Sequence, residues 1–225
     1  MTAEIGLFGK HPGYGDFLRA NVDPAVGDHL ETWLDRALSD IRDQQGQAWP
    51  TFWQQAQDLR FWIGRGVLGR SLMGVMRCSR DRGGRRYPLV LIAQGAAVPA
   101  PVRDGDQAPY AALTAHFSAM QPGQGGAALL DGLQLQLPRE DEAEARIGDT
   151  LWAHQPNGDL AALLDAARGA DAERALLTRS YWWSPATETR AAIWLGCAGL
   201  PSTAALHWLL AGTPLATGLA TGEEA

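Results

Sequence analysis

Residues 87–98 (Tyr-Pro-Leu-Val-Leu-Ile-Ala-Gln-Gly-Ala-Ala-Val) are nearly all apolar after Pro88. Successive side chains on a strand point to opposite faces, so a run without polar alternation needs cover on both sides. The segment therefore reads as a central strand. Residues 71–80, with Leu72, Met73, Val75, Met76 and Cys78, read as its hairpin partner. The connection, Asp81-Arg82-Gly83-Gly84-Arg85-Arg86, supplies two glycines for positive φ. Shorter strands are expected at 5–9 and 59–63, and a second hairpin at 181–183 and 191–197.

Between these strands the apolar period changes to that of a helix. Val26, Leu30, Trp33, Leu34, Ala37, Leu38 and Ile41 recur every three or four residues behind Asp23-Pro24, a cap followed by a proline at the first helical position. Gly46 ends that helix, and a shorter one starts at Trp49. Further helices are expected at 108–120, 127–137, 160–168 and 202–210, with a charged, exposed stretch at 138–149. Strands in two groups with helices between and after them give an α/β sandwich with a mixed, partly antiparallel sheet. No linker divides the chain, so residues 1–225 read as a single domain whose last eight or so residues form a flexible tail.

A chain of 225 residues buries about 70–75% of its unfolded surface and needs no disulfide or structural metal. Cys78 and Cys197 belong to no C-x-x-C and read as reduced thiols. The N-terminus has no basic region before an apolar stretch, so no signal peptide is expected. Residues 191–222 carry no charge, but Pro201, Pro214, His207 and several glycines interrupt them before an apolar run of membrane-spanning length forms. No direct membrane insertion is expected. A net charge of −6 argues against nucleic acid as a partner.

Motifs for catalysis and cofactors are weak. Gly64-Arg65-Gly66-Val67-Leu68-Gly69 matches G-x-G-x-x-G, yet the residues after Gly69 are strand-like and residues 84–94 hold no acid for a ribose, so a tight loop between strands is the expectation. Gly9-Lys10 is not a P-loop, because Glu4 and His11 occupy positions where that motif needs glycine and a hydroxyl. There is no G-x-S-x-G, and the five histidines are scattered without ligand spacing. No catalytic, cofactor-binding or metal-binding residue is assigned.

Charge is more informative. Residues 60–86 hold eight arginines and one acid, Asp81, a local net of +7 in a chain of net −6. Such a surface suits steering of an anionic partner, although internal pairing with acidic helices would explain it equally. Two clusters stand out beside it. Phe8-Gly9-Lys10-His11-Pro12-Gly13-Tyr14-Gly15-Asp16-Phe17 is a rigid loop holding one cation and one anion between glycines. Tyr181-Trp182-Trp183 puts tryptophans on both faces of a strand, so either both faces are covered or one is an interface.

These residues resemble the TagF (ImpM) family, accessory proteins of bacterial type VI secretion systems. Phe8-Gly9-Lys10-x-Pro12-x-x-Gly15-Asp16-Phe17 is similar to its N-terminal signature, and Ser79-x-Asp81-Arg82-x-Gly84-Arg85-x-Tyr87-Pro88-Leu89 to its central one. Ser180-x-Trp182-Trp183, Gly199-Leu200-Pro201 and Trp208-Leu209-Leu210 match its C-terminal part. The departures are His11, where the family often has Leu, Cys78, where a Pro is common, and Tyr87, where Phe is usual. The resemblance implies a three-layer α/β/α sandwich and a cytoplasmic, non-enzymatic regulator that represses secretion after translation. It also implies a partner, the forkhead-associated (FHA) scaffold protein of the apparatus. Some relatives are fused to a PppA-type phosphatase, for which a chain ending near Ala225 leaves no room.

Two rigid loops that each present charge suggest a bidentate pair between Asp16 and Arg82 or Arg85. The leading reading is a binding module whose signature loops occupy the scaffold. The alternative is a phosphate- or nucleotide-binding protein or enzyme with a cleft lined by Lys10, Arg82 and Arg85.

Overall fold

The structure is a computed structural model and describes residues 2–140 and 160–215. Its frame is a seven-stranded sheet: β1 (Glu4–Gly9), β2 (Leu18–Ala20), β3 (Leu59–Ile63), β4 (Leu72–Arg80), β5 (Arg86–Gln94), β6 (Arg179–Ser184) and β7 (Ile193–Ala198). The strand order is β2-β1-β5-β4-β3-β6-β7, and every neighbouring pair is antiparallel. The fold is α/β as expected, but the parallel component of a mixed sheet is corrected. A parallel pair needs a long crossover between neighbouring strands. Here the long helical connections, β2 to β3 and β5 to β6, join strands that are not neighbours.

β4 and β5 form the longest ladder, from Leu72↔Gln94 to Arg80↔Arg86. Residues 88–94 are all buried, so the apolar run is a central strand as read, although it stops at Gly95 and not at Val98. The helix α1 (Pro24–Gln45) begins where the Asp23 carboxylate accepts from the Ala25 and Val26 N–H groups and ends at Gly46. Its stripe of Val26, Leu30, Leu34, Ala37 and Ile41 packs on one face of the sheet against Phe8, Phe61, Ile63, Met76 and Trp182. Trp53 of α2 (Trp49–Gln55) and Leu206, Leu209 and Leu210 of the last helix (Thr203–Ala211) join that cluster. The opposite face carries Leu7, Trp62, Met73, Val75, Leu91 and Trp183 against Tyr110, Leu113 and Phe117 of the helix Ala108–Ala119.

Other expectations are corrected. Residues 127–137 are not a helix: a single 3-10 turn, Gly126–Leu130, precedes an extended segment in which Leu133, Leu135 and Leu137 pack inward while Gln134 and Gln136 are exposed. That segment is tied to the N-terminus by the Ala3 N–H to Leu137 C=O bond of 2.9 Å. The helix expected at 160–168 runs from Leu160 to Leu177. The strand β2 carried no signal long enough to be read. Of the charged stretch at 138–149 only 138–140 are described, and the expected tail lies outside the described residues.

Gly64 and Gly66 sit against the end of that long helix. A Cβ on Gly64 would stand 2.4 Å from the Leu177 carbonyl oxygen, and one on Gly66 would stand 2.9 Å from it. The glycine pattern therefore serves a close packing contact around the short helix Arg65–Leu68. Cys78 and Cys197 are both free thiols, and burial pushes the Cys78 thiol well up from its ordinary value. No helix among the described residues is long and apolar enough to cross a membrane.

Candidate functional site

The sheet brings the two signature loops together at one end. β1 delivers Gly9 at φ +120°, where a Cβ would stand 1.9 Å from the Pro88 carbonyl oxygen, so glycine is required for the strand to approach β5. The Lys10 N–H then donates to that same oxygen at 3.3 Å. Beyond it the chain turns: the Gly13 N–H donates to His11 Nδ1 at 3.1 Å and the Tyr14 N–H to the His11 carbonyl at 3.0 Å. Burial lowers the His11 pKa. The Tyr14 hydroxyl accepts from the Gly123 N–H at 2.8 Å and lies 3.0 Å from the Gly125 carbonyl, which anchors the loop to residues 121–126.

Asp81 organises the opposing hairpin. Its side chain is completely shielded from solvent, and three donors converge on it. The Arg85 N–H donates to Oδ1 at 2.9 Å, while Lys10 Nζ and Arg85 Nε reach Oδ2 at 3.1 and 2.6 Å. Burial alone would raise this carboxyl. The Arg85 N–H and the Lys10 and Arg85 cations outweigh that effect and hold the pKa at about 2. The Tyr14 carbonyl accepts from the Arg82 N–H at 2.7 Å, and the Gly15 carbonyl accepts from Arg85 Nη2. Phe17 closes the junction edge-on against Tyr87, with ring centroids 5.3 Å apart. Burial, with Asp35 beside it, pushes the Tyr87 phenol up.

The expected pair between Asp16 and Arg82 or Arg85 is corrected. Asp16 is exposed and makes no ion pair among the described residues. Arg85 is drawn instead to the buried carboxylate four residues before it, and it touches the N-terminal loop through a backbone carbonyl. The clue was in the sequence, since Asp81 is the only acid among eight arginines.

The remaining signature residues fall into two groups. Pro12, Gly15, Asp16, Phe17, Arg82, Gly84 and Arg85 lie on or just under the outer surface of the paired loops. Ser79 and Pro88 lie in the β4/β5 ladder, and the Ser79 carbonyl accepts from Trp53 Nε1 at 2.7 Å. Trp182 and Trp183 are core residues on opposite faces, so the reading in which both faces are covered holds. Trp182 stacks on Phe61 with centroids 4.9 Å apart, and Trp183 packs edge-on against Tyr110 at 4.7 Å. Among the described residues the exposed indoles are Trp194 and Trp208.

The arginine cluster divides between the two readings left open. Arg70 pairs with Asp23 at 2.9 Å, Arg77 with Asp58 at 2.7 Å and Arg85 with Asp81. Arg80, Arg82 and Arg86 are exposed and make no ion pair among the described residues. Within the cleft of Lys10, Arg82 and Arg85, Asp81 engages two of the three cations but supplies one negative charge, so the cleft stays net positive and Arg82 is the cation there that makes no ion pair among the described residues. Next to the hairpin a groove of about 540 Å³ runs toward α1, lined by Arg42, Trp49, Arg86 and Tyr87 among others.

The profile of the TagF N-terminal domain, described as type VI secretion system-associated, matches residues 6–133, which include both signature loops. Among solved structures, that of PA0076 from Pseudomonas aeruginosa PAO1 is similar, with a TM-score of 0.69 and 26% identity over 92% of this chain and 93% of that one. No curated protein matches the chain.

Proposed function

Since the chain belongs to the TagF N-terminal domain family of type VI secretion system-associated proteins, we propose that it is a non-catalytic accessory regulator. It represses that apparatus in the cytoplasm by occupying an FHA-domain scaffold protein. The observation that carries this reading is the hairpin surface: Arg80, Arg82 and Arg86 are exposed and make no ion pair among the described residues, on a hairpin whose turn is held by buried Asp81. A preordered cationic surface on a chain of net charge −6 orients an approaching anionic face and loses little loop entropy on docking. Inhibition of this kind is stoichiometric and obeys mass action.

The test is a calorimetric titration of the cognate FHA scaffold with wild type and an Arg82→Glu/Arg86→Glu variant. Arg85 is left intact, because reversing its charge would strand Asp81. We expect complex formation by wild type and at least a tenfold loss in the variant, with unchanged melting. Equal binding by both proteins, or none by either, would refute the docking surface or the partner respectively.

A further inference from the structure

The sheet ends in two edges of different character. β2 is only three residues long and carries Arg19, which pairs with Asp28 and Glu31. Short length and charge are common ways to keep an edge from pairing. β7 has neither. It runs for six residues, Ile193–Ala198, and among the described strands β6 is its one neighbour. It carries no charged side chain, and none occurs from 191 to 222.

The ladder shows which backbone groups stay open. The Gly199 N–H donates to the Thr178 carbonyl at 2.9 Å, one step beyond the Arg179↔Ala198 pair. Antiparallel strands bond at alternate pairs. Counting back from Gly199, it is Cys197, Leu195 and Ile193 that exchange bonds with Ser180, Trp182 and Ser184. The N–H and C=O groups of Trp194, Gly196 and Ala198 therefore point away from β6, and no described backbone group bonds to them. Trp194 is 52% exposed but not loose. Its indole stacks on Tyr181 with centroids 5.7 Å apart, and a Cβ on Gly196 would stand 2.9 Å from Trp194 Cη2. The ring thus lies over Gly196 and is already in place before a partner arrives.

We propose that β7 pairs antiparallel with β7 of a second copy of this chain, on a two-fold axis at Gly196. This register pairs all three outward residues: Gly196 meets Gly196 of the second copy, and Trp194 meets Ala198 of the second copy. Each indole then faces a methyl group, and the two glycines leave room at the axis for both rings. Trp is among the residue types that most often anchor interfaces. An uncharged strand also lets two copies of net charge −6 meet where their repulsion is least. One short strand and one indole per copy cover less than the roughly 1,200 Å² of a stable complex, so the dimer is weak and depends on concentration. The inference stands apart from the docking surface, since β3 and β6 separate β7 from the β4/β5 hairpin.

The test is sedimentation velocity on the full chain from about 10 μM to 1 mM, the range in which so small an interface associates. We expect a monomer at the low end and a growing dimer fraction at the high end. Trp194→Lys removes the ring and charges the edge. Ala198→Pro deletes one outward N–H and leaves every bond to β6 in place. Each should weaken association at least tenfold, whereas Arg82→Glu/Arg86→Glu should dimerise like wild type. Amide exchange locates the contact: the amides of Trp194, Gly196 and Ala198 should slow at least tenfold from the dilute to the concentrated sample, while those of Leu195 and Cys197 stay protected in both. A monomer at every concentration, a dimer without that protection, undiminished association by either folded edge variant, or loss in the hairpin variant would overturn the proposal. Protection that appears only when the FHA scaffold is added would also overturn it, and would assign the edge to a strand of that partner.

Discussion

Replacing Gly64 by Ala tests whether the G-x-G-x-x-G segment is a packing contact or a phosphate cradle. Gly64 is extended, at φ −66° and ψ 147°, so alanine fits the backbone there. On that ground alone the substitution would stabilise by about 0.4–1 kcal/mol through the unfolded chain. Space opposes it. The new Cβ would meet the Leu177 and Leu176 carbonyl oxygens at 2.4 and 2.6 Å, and backbone cannot move aside as a side chain can. Overpacking of this kind costs about 1–3 kcal/mol, so the net expectation is a loss of about 1–2 kcal/mol. For a domain of this size that corresponds to a fall in Tm of about 2–8 °C. Gly66→Ala meets one oxygen at 2.9 Å but gains about 1 kcal/mol of helix propensity, and it should be nearly neutral. Gly69→Ala has open space but a left-handed φ of +81°, and strain alone should cost about 1 kcal/mol. Calorimetry of the three variants reads this order directly. A stable Gly64→Ala, or saturable NADH binding that the substitution abolishes, would refute the packing account.

Two further outcomes are expected from buried polar groups. Because the Asp81 carboxyl is lowered in the folded protein from 3.8 to about 2, its stabilisation is complete above about pH 4 and disappears as pH falls through 2. The gap in Tm between wild type and Asp81→Asn should accordingly be constant near neutrality and close across that acid window; a gap independent of pH down to 2 would exclude the charge as its cause. Ser180→Ala removes the acceptor of the Trp182 indole N–H at 2.9 Å within the core, and urea unfolding should show a loss of about 1–3 kcal/mol.

What could be read from the chain depended on how local the deciding physics was. The β4/β5 hairpin was legible because an unbroken apolar run has few places to go except between two covered layers. The helix α1 was legible from a 3.6-residue stripe bracketed by Asp23-Pro24 and Gly46. Residues 127–137 were misread as helix although Leu133, Leu135 and Leu137 alternate strictly with Gln134 and Gln136, a period of two that outweighs the helical propensity of leucine and glutamine. The sense of the sheet was not legible, since it depends on which strands become neighbours and no residue encodes that alone.

The choice between Asp16 and Asp81 shows where sequence reasoning stops short at a charged site. Both acids stand in glycine-rich loops that resemble a family signature, and either could bridge to an arginine. Burial decides between them. Asp81 ends β4 beneath the turn, where its carboxylate receives a backbone N–H and two cations while shut off from water. Asp16 lies on the outer rim with access to solvent, where an ion pair would gain little. The consequence reaches the surface: by engaging Lys10 and the exposed Arg85, Asp81 fixes the two loops to each other, while Arg80, Arg82 and Arg86 stay exposed and make no ion pair among the described residues. A single acid among eight arginines thus separates those that build the site from those free to meet a partner. Charge reversal at Arg85 should therefore damage stability, whereas reversal at Arg82 and Arg86 should damage only binding.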